Sequence, residues 1–150
     1  MPIKHAKGVK LLIKVGDGAT PTEVFAVNCS INAERGITLS AGTSDTDIPN
    51  CEDPEAIAWV LREKTNLSAT ITGSGLLDTE DVPLFAAWLV SPNSKNVKVI
   101  VDVPGADGGT IFTGKFHLTE FPITGDRGGK MQTSITLVSD GAVTVTANAG

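Results

Sequence analysis

Tyrosine is missing from the 150-residue sequence, aromatics make up 5% of it and charged residues 19%. So thin an aromatic complement leaves little from which to build a platform for stacking bases or sugars. Cysteine is scarce as well: Cys29 and Cys51 are too few for a disulfide framework, and a reducing compartment keeps them as small apolar thiols. The formal net charge is −5 and no Lys/Arg run occurs, so the basic footprint that neutralises phosphates is missing and nearby DNA is repelled. No stretch approaches the ~20 apolar residues of a membrane span, and the positive N-terminus has no apolar segment behind it. These absences predict a soluble protein made in the cytoplasm, without a membrane anchor.

Catalytic constellations are equally sparse. His5 and His117 cannot by themselves build a three-ligand zinc site, and neither has a Cys or carboxylate partner at a recognised metal spacing. Gly125-Asp126-Arg127-Gly128-Gly129-Lys130 superficially suggests a phosphate loop. Thr124 stands where the leading Gly is required, Met131 replaces the Ser/Thr, and a strand pattern follows where a helix is needed. Asp45, Asp47, Glu52 and Asp53 could collect a hard cation, but Pro49 interrupts the EF-hand spacing and its Gly is absent. Ser74, between Gly73 and Gly75, lacks the spacing of a nucleophile elbow. The sequence therefore predicts no enzyme, no metal and no cofactor.

What the chain does have is Thr, Ser, Val, Ile and Gly in alternating runs. Its length suits one domain, able to bury roughly 70% of the unfolded surface. Val9, Leu11, Ile13 and Val15 alternate with lysines, the period of a half-buried strand, and pair with a second run over 23–30 through a turn around Pro21. Residues 37–40 make a short third strand. Residues 42–54 hold turn formers and acids without periodicity, which predicts a long loop, and Trp59 beyond it reads as a buried anchor. From Thr65 to Gly75, Leu67, Ala69, Ile71 and Gly73 alternate with Ser68, Thr70, Thr72 and Ser74. A helix over about 80–90 starts at a Thr79 cap, tolerates Pro83 early, and carries Leu84, Phe85, Trp88 and Leu89 as its apolar stripe. Val97, Val99, Val101 and Val103 open the last third. A long run over 110–121 follows, and then Thr133, Ile135 and Leu137 lie opposite Gln132, Ser134 and Thr136. Asp140-Gly141 predicts a type I′ hairpin into 143–146. The whole reads as mainly β: an antiparallel β-sandwich or partly closed barrel with one packed helix.

This order of features resembles the phage tail tube family, the lambda-like and TP901-like major tail proteins of long flexible siphovirus tails. Two segments carry the resemblance. One runs from Asp45-Thr46-Asp47-Ile48-Pro49 through Trp59 to Leu67-Ser68-Ala69-Thr70-Ile71-Thr72-Gly73-Ser74-Gly75-Leu76; in the family an acidic loop, an aromatic, a Ser/Thr-rich strand ending in Ser-Gly and a helix recur in that order. The other is Gly114-Lys115-Phe116-His117-Leu118-Thr119-Glu120-Phe121-Pro122-Ile123-Thr124 with 131–136 behind it, similar to the family's final strands. The resemblance spans nearly the whole chain, 1–150, as a single domain with a mobile N-terminal arm (1–8) and the long loop (42–54).

The resemblance implies a structural virion protein that stacks as homohexameric rings into the tail tube through which DNA reaches the host, assembled in the bacterial cytoplasm. Its implied partners are its own copies and the tape-measure, tail-tip initiator and tail terminator proteins; DNA transits without specific binding. Ser68, Thr70, Thr72, Ser74, Gln132, Ser134 and Thr136 become candidates to face the lumen, since hydroxyls and amides offer no cation to hold phosphate. The same alternation also describes the solvent side of any antiparallel sheet. Candidates for contacts between subunits are Ile3, Lys4 and His5 at the terminus, Asp45, Asp47, Ile48, Glu52 and Asp53 in the loop, and Val143 and Val145 near the C-terminus. A tube of a contractile or secretion system or of a gene-transfer particle shares this architecture. A stand-alone β-sandwich binding module is the rival class, and it needs an exposed aromatic cluster.

Overall fold

The computed structural model of the chain describes residues 5–16, 23, 25–27 and 33–148. Among these, nine strands, all paired antiparallel, form one curled sheet, a half-barrel with a helix laid on it. The strands are β1 (Leu11–Gly16), β2 (Phe25–Val27), β3 (Arg35–Ile48), β4 (Trp59–Leu76), β5 (Lys95–Val101), β6 (Thr110–Glu120), β7 (Ile123–Thr124), β8 (Gln132–Ser139) and β9 (Thr144–Ala147). The helix α1 (Val82–Val90) lies between β4 and β5 in sequence. Across the sheet the order is β2-β1-β5-β6-β8-β4-β3, with β7 beside β8 and β9 beside β6.

The alternating runs become one apolar face. Ile13 pairs with Val99 and Val99 with Phe112, while Leu118 pairs with Leu137, Leu137 with Ile71 and Ile71 with Ile37. Ile13, Ile71, Val97, Val99, Phe116, Ile135 and Leu137 are fully buried there, each worth about 1.5–3 kcal/mol in apolar burial. Phe85 and Trp88 of α1 close this core, with Phe85 edge-on to Phe121 at 5.1 Å. The expected helix stripe is narrower than four residues: Leu84 and Leu89 are exposed, because so short a helix meets β6 through a single face. Its entry is a 3-10 turn, Thr79–Asp81, capped by Asp78 and not Thr79; the Asp78 carboxylate accepts the Glu80 N–H at 3.1 Å.

Three expectations need correcting. The 42–54 loop is mostly strand: β3 runs on to Ile48, β4 begins at Trp59, and the connection is 49–58. The strand signal is missing there because this stretch is a two-stranded ribbon exposed on both faces, and such a ribbon has no burial pattern to impose. Trp59 for the same reason is no buried anchor but 86% exposed. Asp140-Gly141 does not make a hairpin. Gly141 takes φ 94°, as a glycine can, but β9 continues in the direction of β8 along the same edge of β6. β8 has β4 on one edge and β6 on the other, so no edge remains for β9, which pairs instead with Thr110–Thr113. The jog sets Val143 against Gly114, where an added Cβ would come within 3.0 Å of its Cγ2. The β1–β2 pair forms as expected, with Val15 opposite Ala26, while Pro21 and Cys29 lie outside the described residues.

Candidate functional site

The hydroxyl rows assemble on the sheet face opposite the core. Thr72 lies across from Thr136 and Ser74 from Ser134, and on the other side Thr38 lies across from Thr70 and Ser40 from Ser68. Ser40 and Ser68 share a hydrogen bond between their hydroxyls at 2.8 Å. Gln132 extends the β8 row past Leu76. Ser68, Thr72, Gln132 and Ser134 are exposed, and Thr70, Ser74 and Thr136 half-buried. The structure therefore brings all seven residues of that set onto one surface of β4 and β8, with β3 adding Thr38 and Ser40.

Followed across β6, β5 and β1, the same face changes chemistry. Lys98 pairs directly with Lys14, and Lys115 lies one diagonal step away, opposite Asn96. Lys98 Nζ sits 4.3 Å from the Phe25 ring centroid, which eases the like-charge contact with a cation–π interaction. His117 Nε2 is 3.2 Å from an Asp140 carboxylate oxygen. Lysines on alternate positions are visible in the sequence; that they stand side by side depends on the strand order.

The second feature is the ribbon formed by 43–48 and 59–64, here termed the arm. It leaves the sheet at a bulge where the pairing shifts between Gly42 and Thr43. The Asn66 side chain marks this point, accepting the Gly42 N–H at 3.0 Å. One side of the arm carries Arg62 paired with Asp45 at 3.3 Å, both exposed. The other side pairs Ile48 with Trp59 and Thr46 with Leu61. With Ile57 in the turn, 95% exposed, these residues give the tip an apolar patch. The turn is held by the Ala56 N–H to Asp53 carbonyl bond at 3.0 Å and by Asn50 accepting from the Glu52 N–H at 3.0 Å. Of the candidates for subunit contacts, the structure gathers Asp45, Asp47, Ile48, Glu52 and Asp53 here, all exposed. Cys51 is an exposed free thiol in the same turn.

The third feature lies at the root of the arm. A groove of about 520 Å³ runs between Leu39 and Leu67 on one side and Ala142, Val143 and Val145 on the other, with Ser139 at its edge. Leu67 is 75% exposed and Val145 59%. Val143 and Val145 thus belong to a different surface from the loop candidates. His5 is exposed at the start of the described chain, and Ile3 and Lys4 lie outside it. Sequence reasoning missed Leu39, Ile57, Leu61 and Leu67, whose signal was that they are large apolar residues in segments without a buried partner face. Among the described residues no group of His, Cys, Asp and Glu is arranged to hold a metal ion.

A family model described as phage tail tube protein matches residues 5–145. No curated protein matches the chain. Among solved structures, a chain from the tail of an empty GTA particle, refined helically with C6 symmetry, is 24% identical with a TM-score of 0.72, covering 95% of this chain and 100% of that one. A chain from the virion of a native gene transfer agent particle is 22% identical with a TM-score of 0.72 and the same coverage. The SPP1 tail tube subunit is 9% identical with a TM-score of 0.63, covering 96% of this chain and 80% of that one. With a family match that runs from the first described residue almost to the last, and a half-barrel that superposes on tail tube chains, this chain belongs to the phage tail tube protein family.

Proposed function

We propose that the chain polymerises as stacked hexameric rings whose channel conducts DNA into a host cell, and that it acts without catalysing a reaction. The observation that carries this reading is the arm: a ribbon ending in Ile48, Ile57, Trp59 and Leu61, side chains that the described residues of the subunit leave exposed. The C6 symmetry of the similar GTA tail supports six copies per ring. Contacts that close around the ring and a second set that repeats along the axis together build a tube. The hydroxyl face of β4 and β8 lines the channel, where short neutral groups let a phosphate backbone slide. The outer edges of β2 and β3, unpaired among the described residues at the two ends of the sheet, are the joining edges between neighbours in a ring. Tape-measure, initiator and terminator proteins are the further partners, met in the cytoplasm of the host bacterium. A tail of a gene-transfer particle would use the same subunit, and neighbouring genes decide between the two.

Negative-stain microscopy of the concentrated protein tests the proposal. Rings or tubes are expected. A monodisperse monomer at every concentration, with and without tail initiator proteins, would overturn it.

A further inference from the structure

In a chain of net charge −5, the strand order gathers Lys14, Lys98 and Lys115 from three neighbouring strands onto one surface. We infer that this surface binds an anionic polysaccharide, a sugar chain bearing repeated carboxylate or phosphate groups, along the outer wall of the tube. The inference rests on the reading of the chain as a tube subunit whose hydroxyl face is turned to the channel, and it assigns a ligand to the opposite side.

The two sides are opposed because the sheet curls around a single core. Ile13, Val97 and Val99 of β1 and β5 share that core with Ile71, Ile135 and Leu137 of β4 and β8. The ends of the curl meet where the Arg35 guanidinium donates to the Leu11 carbonyl at 2.9 Å. Side chains that alternate with the core residues therefore point outward in opposite directions, hydroxyls from β4 and β8, lysines from β1, β5 and β6. With the hydroxyls lining the channel, the lysines face away from the DNA path.

The chemistry of the patch selects the ligand. Lys14 and Lys98 are direct cross-strand partners, an arrangement that destabilises a sheet unless an anion offsets it. None of the three lysines forms a salt bridge with a described residue. The Glu23 carboxylate lies within the patch, accepting from the Asn96 side chain at 2.6 Å, so cations outnumber the acid there. Strands stand about 4.8 Å apart, and cations in a row across them match successive charges of a chain better than one small ion. Between the lysines stand groups that suit sugar: Thr113 opposite Lys98, Asn96 opposite Lys115, and the ring of Phe25 under the Lys98 ammonium at 4.3 Å. One patch holds such a chain weakly. Copies repeated around and along a tube engage it together and gain avidity.

Fluorescein-labelled polygalacturonate tests the inference, with neutral dextran as the control sugar and a DNA duplex of equal charge as the competing polyanion. Assembled tubes should bind polygalacturonate and not dextran, and affinity should fall roughly tenfold or more between 50 and 200 mM NaCl. Lys98→Gln with Lys115→Gln should weaken binding at least tenfold while melting temperature and tube appearance stay unchanged. Lys130→Gln, which removes an exposed charge elsewhere, should leave binding as it was. Wild-type protein that ignores polygalacturonate, a double variant that binds normally, or equal loss in Lys130→Gln would each overturn the inference. Tighter binding of the DNA duplex, lost in the double variant, would overturn it in favour of a nucleic-acid surface. A dense layer of subunits on a sensor presents the same repeated patch without polymerisation. If no tubes form, the layer still decides about the ligand, and only the tube reading falls.

Discussion

β4 passes through two environments in one unbroken strand. From Thr70 to Gly73 it lies between β3 and β8 and from there to Leu76 it stays paired with β8, and Ala69 and Ile71 are at most 1% exposed. From Trp59 to Ser68 it has, among the described residues, only β3 beside it, and every residue is exposed. The first half is strict in its alternation because one face must be apolar and the other wet; the second is released from that rule and admits Arg62, Glu63 and Lys64 next to Leu61 and Val60. A two-stranded ribbon is marginal in water on its own, so the arm depends on the sheet to hold its root. The two halves of one strand thus differ: one keeps the subunit folded, and the other, under the proposed function, is available to a neighbour.

Substitutions can break this contrast, and the largest effect belongs to the core half. Leu137, fully buried between Ile71 and Leu118, should cost about 2–5 kcal/mol on Leu137→Ala in urea unfolding, because the cavity left in the sheet face cannot collapse. A cost below about 1 kcal/mol would mean that the core is not packed as described. At the jog, Gly141→Ala should cost about 1–2 kcal/mol by the same measurement, since φ 94° is unfavourable for a residue with a Cβ. A neutral result would show that the chain there relaxes to another conformation. At the boundary between the halves, Asn66→Ala removes the partner of the Gly42 N–H and should cost about 0.5–1 kcal/mol. Amide exchange should quicken in 43–48 and not in 35–41, and equal quickening in both would erase the boundary. In the arm itself, Trp59→Ala should change subunit stability by less than about 0.5 kcal/mol despite deleting the largest side chain of the strand. A loss on the scale of Leu137→Ala would make the arm part of the core.

The parts of the fold that could be read in the sequence are those where burial forces a period. Val97, Val99 and Val101, Thr133, Ile135 and Leu137, and the Ser/Thr face of 68–74 alternate because a wet side and a dry side demand it, and each was found where its period placed it. The Asp-Gly pair reported a true local fact, a positive φ, but local conformation does not choose a strand's partner. Only the occupancy of both edges of β8 explains why β9 lies on β6. The arm was hidden for a related reason. Its acids and turn formers look like a loop to any argument from periodicity, and the exposure of Trp59 depends on the absence of a third strand beside it. The Lys14–Lys98 pair likewise needs the β1–β5 register, which no short stretch of sequence contains.

The arm also bears on how long such an assembly can grow. In the proposed assembly a polypeptide that joins copies of itself head to tail is always in perfect stoichiometry, since each arriving copy fills one vacancy and opens an identical one. The growing end then looks the same after the tenth addition as after the hundredth, and nothing in the subunit counts. In the proposed assembly a defined length therefore has to be set from outside the subunit.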